Sequence, residues 1–271
     1  MQQILSKDDI ATLAPAVFTK SKHERTSDKY TFIPTEKIIK DLKEQDWLPV
    51  HATTVRARAQ SIEHAKHLLR FRAKENITVK HSKSGDIVIP ELVITNSHDG
   101  KNAFRAHIGV FRQVCSNGLL VEDGVAGGFR SMRITHKGYD ENTALEMINH
   151  TIDGFTEVLK SIDDYRETKL TVDEQLEFAE AAINLRWKYD YIRPHGITPE
   201  MYIAPHRPED KERTLWNTFN TVQEHMARGG VVAHNQEGRQ IRTRPIKNIR
   251  EELRFNKELW GLLANTFEEV K

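Results

Sequence analysis

The 271-residue sequence predicts an α+β fold, an antiparallel β-meander with a β-β-β-α core followed by a C-terminal helical half. Three observations predict it. Asp99-Gly100 and Asn117-Gly118 are hairpin dipeptides that tolerate the positive φ of a type I′ turn. Between them runs an alternating stretch in which Phe104, Ala106, Ile108 and Val110 face one way and Arg105, His107 and Gly109 the other. Beyond residue 140, apolar residues recur at spacings of three and four, the signature of amphipathic helices.

In order along the chain, Ser6 with Asp9 three residues on marks a helix start, and Pro15 ends that helix. Lys20–Lys29 is a polar connection. Pro34-Thr35 introduces a helix with Ile38, Ile39 and Leu42 inward, ending near Asp46. His51–Arg58 alternates Val55 and Ala57 against Arg56 and Arg58, which predicts a strand with one charged face. Ile87–Ile94 is apolar and β-branched, and Pro90 within it argues for an edge position or a bulge. A third limb of the meander runs Leu119–Val121, is interrupted by Gly124, Gly127 and Gly128, and resumes at Phe129–Thr135. The meander occupies roughly residues 50–136.

In the C-terminal half, Leu145, Ile148, Ile152, Phe155, Leu159 and Ile162 predict one helix. Thr171-x-x-Glu174 is a capping box opening a second, with Val172, Leu176, Ala179, Ile183 and Trp187 inward. Pro194, Pro199, Pro205 and Pro208 make an extended connection. A third helix carries Leu215, Phe219, Val222 and Met226 and stops at Gly229-Gly230. A last helix starts near Pro245 and runs towards Phe267. The expected division is a mixed region with the sheet over 1–140 and a helical region over 141–271 packed on it, as one elaborated domain.

Composition sets bounds on function. Hydrophobic residues make up 38% and charged residues 29%, enough apolar material for a sizeable core. The formal net charge is +1, so affinity for nucleic acid has to come from a local patch. A single cysteine, Cys115, excludes an internal disulfide framework and suits a reducing cytoplasm. No secretory signal and no long apolar run are visible, so a soluble cytoplasmic protein without a membrane partner is expected.

A distinct set of motifs carries a resemblance. Asn96-Ser97-His98-Asp99-Gly100 and Phe111-Arg112-x-Val114-Cys115-Ser116-Asn117-Gly118-Leu119 resemble the signature of the phage- and plasmid-borne domain of unknown function 932 family. The similarity begins in the Tyr30–Pro34 run and continues at His136, Glu209-Asp210, Leu215-Trp216-x-x-x-Asn220-x-x-Gln223-Glu224 and Asn256-x-x-Leu259-Trp260. It implies a mobile-element origin. Three strands followed by a long helix also resembles the β-β-β-α core of single-strand annealing proteins, a likeness of fold alone.

Several constellations could carry chemistry. His98, His107 and His136 with Asp99 are the residues that could suggest a metal, but no His-x-x-x-His or Cys-x-x-Cys spacing supports them, and no metal or other cofactor is expected. Cys115, with His107 nearby, reads as a small buried hydrophobe and not as a thiolate nucleophile. No phosphate loop and no dinucleotide-binding glycine pattern occurs, which argues against an ATP-driven enzyme. The Trp216/Asn220 and Asn256/Trp260 pairs, four residues apart, suit two helices packing together.

Basic residues point to a partner. Arg239, Arg242, Arg244, Lys247, Arg250, Arg254 and Lys257 face only Glu251 and Glu252 in their stretch, and the last four would form one stripe beside Ile246, Ile249, Leu253 and Trp260. A helix docked by its apolar side and presenting a basic side suits a phosphate backbone. On the meander, Arg105, Arg112, Arg130 and Arg133 stand beside Phe104, Phe111 and Phe129, a combination that holds single strands by stacking and charge. The expectation is a non-catalytic DNA-metabolism protein that binds single-stranded or recombining DNA as a homo-oligomer. The alternative is a host-interaction or regulatory protein that binds another protein.

Overall fold

In a computed structural model, the structure describes residues 4–54, 62–74, 79–80, 87–112, 118–120, 132–136, 141–188 and 193–271. It is an α+β fold with an antiparallel sheet and a mostly helical C-terminal half. The helices are α1 (Lys7–Leu13), α2 (Thr35–Glu44), α3 (Glu141–Asp153), α4 (Phe155–Glu167), α5 (Val172–Arg186), α6 (Glu200–Ile203), α7 (Leu215–Arg228) and α8 (Ile249–Val270). The strands are β1 (Trp47–Thr54), β2 (His67–Ala73), β3 (Val79–Lys80), β4 (Ile87–Asn96), β5 (Phe104–Arg112), β6 (Gly118–Leu120), β7 (Met132–Ile134), β8 (Val232–His234) and β9 (Gln240–Arg242). Among the described residues no helix is long and apolar enough to cross a membrane. The chain divides into two compact units, one of Met1–Val79, Val88–Phe111 and Phe129–Phe155, the other of Lys80–Ile87, Arg112–Gly128 and Thr156–Lys271.

The first unit is built on the sheet, with strand order β1-β2-β4-β5 and β7 also paired to β5. β1 and β2 pair antiparallel from Trp47↔Ala73 to Thr54↔His67, with one irregularity between Pro49 and His51. β2 pairs β4 from His67↔Asn96 to Phe71↔Leu92. Helix α1 starts on the expected capping box, Ser6 accepting from the Asp9 amide and Asp9 accepting from the Ser6 amide. Helix α2 buries Ile38, Ile39 and Leu42 as its spacing demands. Asp46 turns the chain into β1 with a left-handed φ of 61°, and its carbonyl accepts from the Lys74 amide at 2.7 Å. Both faces of β4 and β5 are buried, and the core gathers Leu69, Phe71, Leu92, Ile94, Phe104 and Ile108.

Four sequence expectations need correction here. The sheet is larger than a three-stranded meander because β1 and β2 extend it. Pro90 sits in β4, an interior strand, and is tolerated because β2 pairs only Leu92–Asn96. The stripe from Leu145 to Ile162 belongs to two helices, α3 and α4, which break at Gly154. Helix α8 starts at Asn248, whose side chain accepts from the Arg250 and Glu251 amides, and not near Pro245. Of the strand expected over His51–Arg58, residues 55–58 lie outside the described residues, as do Cys115, the Asn117 corner and the glycines at 124, 127 and 128.

The second unit is helical, with the β8–β9 hairpin inserted between α7 and α8. Helix α5 opens on the Thr171/Glu174 capping box. Every residue of α7 from Leu215 to Met226 is buried, a helix wrapped on all sides although half its residues are polar. Gly229 ends it with φ 66°, and the returning chain crosses closely: the Gly230 amide donates to the Thr243 carbonyl and the Ile246 amide to the Ala227 carbonyl, both at 2.9 Å. A Cβ on Gly229 would lie 2.5 Å from that Thr243 oxygen, so only glycine fits.

Candidate functional site

The residues that carry the family resemblance fall into two spatial clusters, one in each unit. In the first unit the β4–β5 corner is tied to the chain around Tyr30. Asn96 donates to the Ile33 carbonyl at 3.1 Å and to Thr35 Oγ at 3.0 Å, while its own oxygen accepts from the Ser97 amide. The Tyr30 hydroxyl donates to the Ser97 carbonyl at 2.9 Å. The Thr31 amide donates to the His136 carbonyl at 2.8 Å, and His136 Nδ1 donates back to the Thr31 carbonyl at 3.0 Å. The Tyr30 and His136 rings stack at 4.4 Å. Asp99 closes the corner, accepting at one oxygen from Ser97 Oγ at 2.8 Å and from the Lys101 amide at 3.0 Å. Gly100 follows at φ 75°, its Cα facing Thr26 so closely that a Cβ would come within 3.1 Å of a methyl.

That corner forms one wall of a recess of about 470 Å³, also lined by Arg25, Tyr30, Lys101, Arg133 and His136. Burial raises the Tyr30 pKa, helped by the Asp99 charge. Burial lowers the His136 pKa against the opposing pull of the Thr31 carbonyl and Asp99. The β5–β7 register sets Arg105 directly opposite Arg133, so both side chains share one face of the sheet.

The neighbouring histidines are interior groups. His67 is fully buried and satisfied on both sides, Nδ1 donating to the Ala65 carbonyl at 3.1 Å and Nε2 accepting from Thr35 Oγ at 2.9 Å. His98 lies against the Phe32 ring at 4.7 Å and the His67 ring at 5.2 Å, and burial, reinforced by the histidines around it, pushes its pKa down to about 3. His107 is buried in β5. Among the described residues no three His, Cys, Asp or Glu side chains are grouped to hold a metal ion.

The second cluster is a buried ionic and amide network. Arg112, only 1% exposed, pairs with Asp210; Arg207 reaches Asp210 at 3.5 Å and grips Glu224 with both guanidinium nitrogens; Arg228 pairs with Glu224 at 2.5 Å. Charges therefore alternate along Arg112, Asp210, Arg207, Glu224 and Arg228. Helix α7 meets α8 through Gln223, which donates to Asn256 at 3.1 Å, and through the Trp216 and Trp260 rings, edge to face at 6.5 Å. Asn220 turns inward on its own helix and donates to the Trp216 carbonyl at 2.7 Å, so the Asn/Trp pairs dock the two helices through Gln223 and not by Asn220 reaching across. Most of this is packing and polar pairing inside the unit, and only Arg228, at the end of the chain of charges, is exposed.

The family model for the domain of unknown function DUF932 matches residues 22–260. The chain belongs to the DUF932 family. Among curated proteins it is similar to the UPF0380 protein YfjQ of Escherichia coli (strain K12), 30% identical over 268 residues that cover 98% of this chain and 93% of the relative. The UPF0380 protein YafZ of the same strain is 31% identical over 264 residues, 94% of this chain and 89% of the relative. No solved structure matches the chain significantly.

A basic recess of the second unit lies apart from the motifs that carry the resemblance. There, α5 ends on Arg186 and Trp187, and the closure at Gly229 brings Ile241–Arg244 beside them, forming a recess of about 590 Å³ lined by Arg186, Trp187, Arg242, Arg244 and Glu251. The Arg186 guanidinium lies 5.5 Å from the Trp187 ring and donates to the Arg244 carbonyl at 3.4 Å, with Glu251 at 3.7 Å. Arg242 donates to the Gly230 carbonyl at 2.9 Å. The exposed side chains of Arg239, Arg244, Lys247 and Arg250 make no ion pair among the described residues.

The structure thus sorts the basic residues singled out from the sequence. Arg239, Arg242, Arg244, Lys247 and Arg250 are exposed. Arg254 corrects the expected stripe: it is half-buried, paired with Glu251 and Glu258, and donates to the Leu185 carbonyl at 3.3 Å, and those carboxylates raise its pKa. Lys257 is half-buried. Arg112 is a second correction, since a guanidinium buried on Asp210 presents no surface. Arg133 is exposed, Arg105 half-buried, and Arg130 lies outside the described residues. Phe104 and Phe111 are core and not stacking platforms, and Phe111 is covered by the Arg72 guanidinium at 4.3 Å. Arg186 and Trp187 escaped sequence reasoning because Trp187 reads as the next inward position of α5 and its partners lie some fifty residues later.

Proposed function

We propose that this protein binds single-stranded nucleic acid through the second unit, without nucleotide hydrolysis, as part of the DNA metabolism of phages and plasmids. The observation that carries the reading is the recess in which Trp187 stands among Arg186, Arg242 and Arg244. An aromatic face beside guanidinium groups matches what a single strand offers, bases to stack and phosphates to neutralise. One wall carboxylate, Glu251, offsets the three arginines, and Arg239, Lys247 and Arg250 continue the positive surface from the hairpin to the start of α8. Each stacked base is worth about 1–3 kcal/mol and each neutralised phosphate contributes a slope of about −0.7 in log K against log salt.

The test is a titration of fluorescent oligo-dT against salt, with Trp187→Ala and Arg242→Ala/Arg244→Ala. The tryptophan variant is expected to lose about tenfold in affinity with its salt slope unchanged, because it removes stacking but no charge. The arginine variant is expected to flatten the slope by about 1.4. No detectable binding at low salt, or binding without a salt slope, overturns the reading.

A further inference from the structure

The signature recess of the first unit has a chemistry of its own. We propose that the recess at the Asp99–Gly100 corner is a binding site for a phosphomonoester, either the terminal phosphate of a nucleic-acid strand or a free nucleotide. Its volume of about 470 Å³ falls in the range of small-molecule sites, about 300–1,000 Å³.

Charge complementarity is the first argument. Arg25, Lys101 and Arg133 line the recess, all are exposed, and none makes an ion pair among the described residues. Asp99 is the single carboxylate of the lining, so three cations against one anion leave two positive charges. That carboxylate is already committed to the Ser97 hydroxyl and the Lys101 amide within its own turn. A phosphate group offsets that surplus, a phosphomonoester with up to about two negative charges and a diester with one. Two arginines provide planar forks for its oxygens, which a carboxylate ligand would use less fully.

His136 supplies the second argument. It lines the recess, is 6% exposed, and spends Nδ1 on the Thr31 carbonyl, while its buried Nε2 has no hydrogen-bond partner. A buried polar atom left unsatisfied costs about 1–3 kcal/mol, so such an atom in a recess wall is a vacancy for a ligand group. With Nδ1 donating, neutral His136 presents Nε2 as an acceptor. A singly protonated phosphomonoester carries a P–O–H that can donate there while its other oxygens face the cations. A phosphodiester has no such proton. The corner itself is pinned by Tyr30, Asn96 and the Gly100–Thr26 approach, so the turn that carries Lys101 is in place before a ligand arrives.

The site uses none of the second unit's basic residues, so the two readings fail separately. The experiment compares 5′-phosphorylated with 5′-hydroxyl octathymidylate by calorimetry, and follows thymidine monophosphate and inorganic phosphate by phosphorus NMR, on wild type, Arg133→Gln, Lys101→Gln and Arg244→Ala. All three residues are exposed, and matching thermal transitions verify that the variants fold. A 5′-phosphate is expected to improve strand affinity about tenfold, the value of one or two charge-assisted hydrogen bonds. Arg133→Gln and Lys101→Gln should abolish that preference and leave the 5′-hydroxyl strand unaffected, whereas Arg244→Ala should leave the binding of thymidine monophosphate and phosphate unchanged. Binding of thymidine monophosphate or phosphate that depends on Arg133, without any strand preference, identifies a free nucleotide or phosphate as the source and still supports the site. Equal affinity for the two strands together with no phosphorus shift from either small molecule overturns it.

Discussion

Mild acid should destabilise the first unit, and His67 is the reason. Its imidazole is fully buried, and burial lowers its pKa from 6.5 to about 4 in spite of the Ala65 carbonyl. The hydrogen bonds explain why the neutral form is required. Thr35 Oγ accepts from Asn96 and therefore donates to His67 Nε2, so a proton on Nε2 would face a donor. The folded pKa lies below the unfolded one; the stabilisation is thus complete above pH 6.5 and is lost as pH falls from about 6.5 towards 4. A shift of that size corresponds to about 3 kcal/mol over the whole window, and about 2 kcal/mol of it is gone by pH 5. His98, with its pKa near 3, adds a loss of the same sign over a longer window. Hydrogen bonds from Ser6 lower the Asp9 pKa and those from Lys20 and Lys7 lower that of Glu36, so these carboxylates do not add to the loss above pH 4.5. Urea unfolding at pH 7, 6 and 5 measures the effect, and hydrogen exchange over β2 and β4 assigns it to the sheet. His67→Phe should be less stable at pH 7 but have a pH slope shallower by about 1.4 kcal/mol per unit. Equal wild-type stability at pH 7 and pH 5, or an unchanged slope in His67→Phe, refutes the reasoning.

Three further outcomes follow from the second unit. Asp210→Ala leaves Arg112 buried without its carboxylate and should cost about 3–5 kcal/mol in urea unfolding, whereas Arg112→Met/Asp210→Leu should recover much of that loss. Gly229→Ala forces a Cβ to 2.5 Å from the Thr243 carbonyl at a φ of 66°, so a drop of well over 1 kcal/mol is expected in thermal unfolding; a neutral effect would mean that the 243–246 crossing is not as close as described. Arg239→Ala and Lys247→Ala should change stability by less than about 0.5 kcal/mol while each flattening the salt dependence of strand binding, and a large change in melting temperature would show them to be structural.

How far the sequence discloses this molecule depends on whether the information is local. The α+β class, the capping boxes at Ser6 and Thr171, the inward face of α2 and the glycine stop at Gly229 all follow from spacing within a few residues. Strand β2 is legible, since Leu69, Phe71 and Ala73 alternate with Arg70 and Arg72, whereas the single helix expected from Leu145 to Ile162 breaks because an apolar stripe passes through Gly154 unchanged. Charge misleads for a related reason. Arg112 and Arg254 look like members of exposed basic sets, but their partners, Asp210 in one case and Glu251, Glu258 and the Leu185 carbonyl in the other, are brought in by tertiary packing. The same packing assembles Trp187 with Arg242 and Arg244, a conjunction no window of sequence contains.

The signature residues separate on one physical criterion, whether a polar side chain finds its partner inside the protein. Asp210, Gln223, Glu224 and Asn256 do: their partners are other side chains, and substituting them tests folding. Asn96 and Ser97 are likewise occupied in shaping their corner. Beside them, Arg25, Lys101 and Arg133 carry charge into an open recess without a counter-ion among the described residues, and His136 keeps an unpartnered nitrogen in its wall. Folding has no use for that arrangement: like charges gathered on one wall repel, and an unsatisfied buried nitrogen costs free energy. An anion that carries a proton removes both penalties at once. The Asn96–Gly100 corner, whose histidine and aspartate could suggest a metal from sequence, is on this criterion a frame, and the groups that remain for chemistry are the basic ones around it.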